Sequence, residues 1–296
     1  MSLTDDIRAG AARVASRARA VRINHDALEP YARTLPSESP PAPDLEGADD
    51  ETRAAFSLQL NAINFGSGWF PTLRKPCGLS GFRTIEAGLR RRGPWTAEEL
   101  ETITREEIAR TFGQDPEHEL MGHFERHLRE LGERTLGHGS FLHLARWGEG
   151  SAEALAAHLA TWDTWLDISR YEGEPVPFFK RAQIAAADLA LSGIAPARDL
   201  HRLTLFADNL VPHVLRIDGV LEFDPGLVAR IDAETLLAHD SPEEVEIRAC
   251  ALHAVELLVQ AHGSTTATAV DNALWNRGAA PRYKAHPRHR ARTTAY

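Results

Sequence analysis

The sequence predicts an all-α fold, or one nearly so, folded as a single domain over residues 1–296. Three observations carry this. From Glu86 onward apolar residues recur every three to four positions, the spacing of a buried helical stripe. Helix-start and helix-stop residues punctuate that pattern at the right places. Glycine and proline crowd into one irregular stretch, residues 56–83, next to a Pro-rich connector.

Taken in order, Asp5 to Val21 is Arg- and Ala-rich and has the look of a transit peptide. The acids Asp5, Asp6 and Asp26 favour an amphipathic helix instead, with Ile7, Val14 and Val21 on one stripe. Residues 1–33 thus form an N-terminal helix. Residues 34–50, rich in Pro, Ser and acids, form a connector. The stretch Phe56 to Arg83 holds Phe65, Gly66, Gly68, Trp69, Phe70, Pro71, Pro76, Gly78 and Gly81, a density that breaks regular structure and suggests a shaped loop beside a pocket. Thr96 with Glu99 makes a capping box. Ser151 starts a helix with Leu155, Leu159, Trp162 and Leu166 on one face. Asp224-Pro225 and Ser241-Pro242 each set an N-cap before a first-turn proline, and Glu244 completes a capping box with Ser241. The helix that follows buries Ile247, Cys250, Ala251, Ala254, Leu257 and Leu258. Gly219 ends the helix containing Val211 to Ile217.

Composition narrows the function. Hydrophobic residues make up 43% and charged residues 25%, ordinary for a globular chain. The net charge of -9 and pI near 5.9 argue against broad nucleic-acid binding, which needs clustered Lys and Arg. Two cysteines, Cys77 and Cys250, provide no disulfide framework. With no leader-like segment and no apolar run of membrane-spanning length, they point to the reducing cytoplasm.

Several segments suit chemistry. Phe178-Phe179-Lys180-Arg181 opens a helix with cations where the macrodipole disfavours them. Lys180 therefore either faces an anion or belongs to a solvated basic turn. Leu203 to Pro212 sets Asp208 inside an apolar run, where a carboxylate is paired or used. Asp208 or Asn209 can also cap the helix at Pro212. Glu244 and Arg248, four residues apart, read as a surface pair. The basic tail Tyr283 to Arg292 reads as a solvated tail or a phosphate-binding strip. His118-Glu119, His123 and His127 give a zinc hydrolase as a competing reading, although the second His of a His-Glu-x-x-His motif falls one residue late. The phosphate-loop, dinucleotide and nucleophile-elbow motifs are missing from the sequence.

The chain resembles the queuosine salvage proteins, the queuosine 5'-phosphate N-glycosidases. The resemblance rests on pieces in order: Asn64-Phe65, Tyr171-Glu172-Gly173, Phe179-Lys180-Arg181-Ala182-Gln183-Ile184, Asp188, Phe206-Ala207-Asp208 with Pro212, Glu244 to Arg248, Asp271 with Leu274-Trp275, and His289-Arg290 before Tyr296. It implies an all-helical fold like that of helix-hairpin-helix DNA glycosylases. It also implies hydrolysis of the N-glycosidic bond of queuosine 5'-monophosphate, releasing queuine for tRNA. The implied partner is a small modified nucleotide, with no direct nucleic-acid contact and no cofactor or metal.

Breaking such a bond builds positive charge on the ribose, which a carboxylate stabilises while taking a proton from water. Asp208 fits that role, with Lys180 orienting the sugar or tuning Asp208. The expected substrate contacts are Phe206, stacking on the base, with Phe65, Asp271, Asn272, Trp275, Asn276, His289 and Arg290. Two departures stand out. The family carries an acid after Leu-Trp, where this chain has Asn276. Its Asn-Phe-x-Phe-Trp segment is here Asn64-Phe65-Gly66-Ser67-Gly68-Trp69-Phe70. Asn cannot act as a general base, so a binding-only homologue, or a hydrolase of another nucleotide, is the alternative.

Overall fold

The computed structural model of the protein describes residues 2–39, 42, 44–76 and 78–296. Cys77 and three prolines of the connector, Pro40, Pro41 and Pro43, lie outside the described residues. Among the described residues fifteen α-helices dominate, with two small antiparallel ribbons. Val21–Ile23 pairs with Leu221–Phe223, and Ile168–Tyr171 pairs with Glu174–Pro177. One apolar cluster runs from Ile7 to Tyr283. No helix is long and apolar enough to cross a membrane among the described residues.

Local signals place most boundaries. Thr96 and Glu99 form the expected reciprocal capping box. Asp224 and Ser241 cap helices whose first residues are Pro225 and Pro242. Gly219, at φ +77°, follows the helix Leu210–Ile217. The Ser241 box is only half formed. Ser241 accepts from the Glu244 amide, but the Glu244 carboxylate turns to the Asp240 amide at 3.2 Å.

Several expectations are corrected. Ile7 and Val14 lie buried on the helix Leu3–Ala15, but Val21 belongs to a strand. The irregular stretch begins after Ala62, because Phe56 to Ala62 continue the helix Asp50–Ala62, capped by Asp49. No glycine or proline occurs there to interrupt it. The helix from Ser151 stops at Leu159, and Leu166 lies beyond it at 55% exposure. Leu257 is half-buried while its companions are buried.

The largest correction concerns Arg248 and Glu244, which are fully buried in the helix Pro242–His262. Arg248 forms a two-pronged ion pair with Asp167, at 2.9 and 2.7 Å. Glu244 faces His239 at 3.6 Å. The helix lies in the protein interior, so neither side chain reaches solvent. The basic tail also packs down. His289, Ala291, Thr293, Ala295 and Tyr296 are buried, and Ala291 bridges Leu237. Two glycines admit it. The Gly66 amide, on a residue at φ +108°, donates to the Tyr296 carbonyl at 3.1 Å, and any Cβ on Gly68 would strike the Ala291 backbone.

Removing one partner of a buried ion pair strands the other, at a cost of about 3–5 kcal/mol. Arg248→Met should lower the unfolding free energy by that amount in urea titration. A loss below about 1 kcal/mol would mean that Asp167 finds another partner.

Candidate active site

The irregular stretch, the Asp208 loop and the tail converge on a cleft of about 580 Å³. Lys180 stands on its floor as the first residue of the helix Lys180–Leu191. The preceding residue, Phe179, is left-handed at φ +48°, which costs on the order of 1–3 kcal/mol outside glycine. Asp167 holds that turn. Its carbonyl accepts from the Phe178 amide at 2.9 Å and the Phe179 amide at 3.4 Å, and its carboxylate accepts from the Lys180 amide at 3.0 Å.

The Lys180 ammonium donates to the Asn64 carbonyl at 2.9 Å. Burial, opposed by the nearby Asp208 and Asp271 carboxyls, pulls its pKa down to about 8. Asp208 also lines the cleft. Its Oδ1 accepts from the amides of Leu210 at 2.7 Å and Val211 at 3.2 Å, at the start of the helix Leu210–Ile217. Its Oδ2 has no hydrogen-bond partner among the described residues. Capping and exposure to the cleft thus coexist, one oxygen for each. Asn209 instead donates to the His289 carbonyl at 3.0 Å, tying this loop to the tail.

Asp271 lies behind the lining, its Oδ1 accepting from the Phe206 amide at 3.3 Å. Burial, reinforced by the Asp208 charge, holds its carboxyl well above the usual carboxylate range. Of the expected contacts, Phe65, Trp275, Asn276 and Arg290 line the cleft, whereas Phe206, Asn272 and His289 do not. Phe206 and His289 are buried. Burial takes the His289 imidazole down to about 3, so it is neutral. Asn276 donates to the Asn272 carbonyl one turn back, at 2.9 Å.

The mouth is basic. Arg83, Lys180, Lys284, Arg288 and Arg290 line the cleft against only Asp208 and Glu234, an inversion of the chain's negative charge. Arg83 pairs with Glu86 at 2.6 Å and lies 5.1 Å over the Trp275 ring. Arg290 pairs with Glu234 at 3.4 Å. The half-buried Arg288 side chain has no partner among the described residues, and burial lowers its pKa. Arg288 carried no distinguishing signal among three tail arginines. Arg248 did carry one, a lone cation in an apolar helix.

The histidine motif does not gather. His127 is buried, its Nδ1 3.3 Å from Arg181, and His123 packs on Trp69 with ring centroids 5.1 Å apart. Among the described residues, the one three-membered group of metal-ligating type is His239, Asp240 and Glu244. There the two ring nitrogens of His239 face different carboxylates, Glu244 at 3.6 Å and Asp240 at 3.7 Å. Burial opposes the imidazolium, but the two acids outweigh it and raise the pKa.

A cleft with aromatic walls, a carboxylate and ammonium on its floor and arginines at its rim suits a planar ligand carrying an anionic group. The family model described as "Queuosine salvage protein" matches residues 46–296. A queuosine 5'-phosphate N-glycosylase/hydrolase of Sphaerobacter thermophilus is 34% identical over 96% of this chain and 95% of its own length. Proteins of the same name from Dictyostelium discoideum and Bos taurus are 33% and 32% identical, over 68% and 53% of this chain and 65% and 49% of their own lengths. The chain belongs to the queuosine salvage protein family.

The Lys180 pKa fixes the sign of a stability effect. Between about 8 and its ordinary 10.5, the unfolded chain binds a proton that the folded one has lost, so stability rises with pH across that window. Relative to Lys180→Met, the wild-type protein should gain unfolding free energy between pH 7.5 and pH 10, roughly the span of the shift, by urea titration at each pH. A relative loss would mean that the folded protein holds the ammonium more tightly than water does.

Proposed function

We propose that the protein hydrolyses the N-glycosidic bond of queuosine 5'-phosphate, the substrate named for its relatives, releasing the free base. The observation that carries this reading is Asp208, held by two helix amides through Oδ1 with Oδ2 unpartnered, in a cleft shared with the Lys180 ammonium. As the bond to the base breaks, its electron pair leaves with the base nitrogen and C1' of the ribose becomes electron-poor. Asp208 stabilises that charge and takes a proton from the water that adds to C1'. The base gains a proton in turn. Lys180 orients the sugar or tunes Asp208 through its charge.

Phe65 and Trp275 supply apolar walls for a flat base. Arg288, with no hydrogen-bond or ion-pair partner among the described residues, suits the 5'-phosphate. Asp271, which accepts from the Phe206 amide and is driven toward its neutral form by burial, fits the role of anchoring Phe206 behind Asp208 rather than that of a charged base acceptor. Asn276 then contributes an amide at the rim, and the charge chemistry falls to Asp208. The cleft accommodates a mononucleotide, and with it the partner is a small molecule acting in the cytoplasm, with no direct nucleic-acid contact. The fold likeness to helix-hairpin-helix glycosylases belongs to the same proposal and is tested by superposition of solved structures.

The first test is mass spectrometry of free queuine released from queuosine 5'-phosphate by purified protein, with the nucleoside in parallel. Release from the phosphorylated form is expected; binding without release would favour the binding-only alternative. Asp208→Asn should reduce turnover roughly 100-fold or more while retaining ligand-induced thermal stabilisation. Wild-type turnover in that variant would remove Asp208 from the mechanism. Arg288→Ala should raise KM for the phosphorylated substrate roughly 10- to 100-fold and leave the nucleoside unaffected. Turnover should decline as pH rises through about 8, where Lys180 loses its charge.

A further inference from the structure

Behind the cleft, a file of polar side chains runs away from Lys180 into the protein interior. The Lys180 ammonium donates to the Asn64 carbonyl at 2.9 Å. The Asn64 side-chain amide donates to Asn61 Oδ1 at 3.2 Å. The Asn61 amide donates to Asp188 Oδ2 at 2.8 Å and to the Ser57 carbonyl at 3.1 Å. Asp188 lies two helical turns after Lys180 on the helix Lys180–Leu191. The file therefore closes a loop between the two ends of one helix by way of the helix Asp50–Ala62.

Such a loop has no evident packing purpose. Apolar residues would fill the same space without the cost of burying an acid. What the loop does is fix the carbonyl that receives the ammonium. The Asn64 carbonyl sits just past the C-terminal end of the helix Asp50–Ala62, where the main chain turns into the irregular stretch and regular structure no longer sets its direction. The Asn64 side chain, gripped by Asn61, sets it instead, and Asp188 fixes which way the Asn61 amide faces.

We propose that Asp188 is a positioning residue for Lys180, acting through Asn61 and Asn64 by hydrogen bonding and on the ammonium directly by its negative charge. This rests on the reading of Lys180 as part of the reaction site. The charged and titratable groups facing Asp188 are Lys180 on its own helix and Glu86 on the helix Gly81–Arg92. Asp271, on the helix Ala267–Arg277, feels Asp188, Asp208 and Lys180 together. Burial lifts the Asp188 carboxyl to about 7, and Lys180 loses its proton near 8. The ammonium in turn draws the Asp188 carboxyl down, and in its ionised form Asp188 favours the protonated ammonium.

The test reads Lys180 without reference to turnover. The chain has only three lysines, Lys75, Lys180 and Lys284, so ε-carbon NMR of protein carrying labelled lysine resolves each titration. Asp188→Asn keeps an oxygen for Asn61 and removes the charge; the Lys180 midpoint should move to lower pH by roughly half a pH unit or more. Asn61→Ala keeps both charges and breaks the file; the Lys180 ε-signal should narrow as the side chain gains freedom, and kcat should fall several-fold with KM little changed. A Lys180 midpoint and linewidth equal to wild type in both folded variants would overturn the proposal. If Asp188→Asn does not fold, the Asn61→Ala linewidth alone decides. If the expected NMR changes appear but wild-type protein releases no base, the reaction assignment fails and the positioning role stands.

Discussion

The buried ion pair between Asp167 and Arg248 is the constraint on which the site depends. Every nitrogen of the Arg248 guanidinium is committed, two to the Asp167 carboxylate and Nε to the Ala207 carbonyl. Its faces meet aromatic rings, Phe178 at 3.9 Å and Tyr296 at 4.5 Å. Asp167 in turn holds the left-handed turn before Lys180. One pair thereby fixes the residue before Asp208, the entry to Lys180 and the ring of Tyr296. Desolvating two charges is expensive, and the cost is offset only where each remaining donor and acceptor is satisfied. On the Arg248 side each nitrogen makes one such bond, and the guanidinium faces are covered by the two rings.

Around this knot the protein sorts charge by environment. An acidic chain turns a basic rim toward its cleft, which draws an anionic ligand toward an otherwise repelling surface. Beneath the rim, two aspartates of the same chemistry are set apart. Asp271 is driven toward its neutral form by burial and by its neighbour's charge, while Asp208 meets helix amides and the open cleft. Environments that separate like groups in this way allow one to carry charge and the other to support structure.

Much of the fold was legible because its signals are local. Capping residues such as Thr96, Asp224 and Ser241, and the stop at Gly219, act within a turn of where they stand. The family was legible from short ordered pieces, and Asp208 and Lys180 do meet in one cleft. What the sequence hid depends on distance. Arg248 reads as half of a surface pair with Glu244 until the Asp167 loop, far away in the chain, is seen to receive it. The basic tail reads as solvated because Gly66 and Gly68 give no sign that they make room for it. Phe206 sits within two residues of Asp208, yet it faces inward, since its amide is drawn to Asp271.

The docking of the tail against Gly66 and Gly68 also orders events in time. The cleft is walled by residues from both ends of the family-matched region, 46–296, and contacts between such distant segments form late, after the loops between them have closed. During synthesis the Lys180 turn and the Asp208 loop leave the ribosome well before Arg288 and Tyr296. The emerging chain therefore carries the Lys180 and Asp208 side chains without the cleft around them. The cleft is complete only when the tail settles into the groove that two glycines keep open.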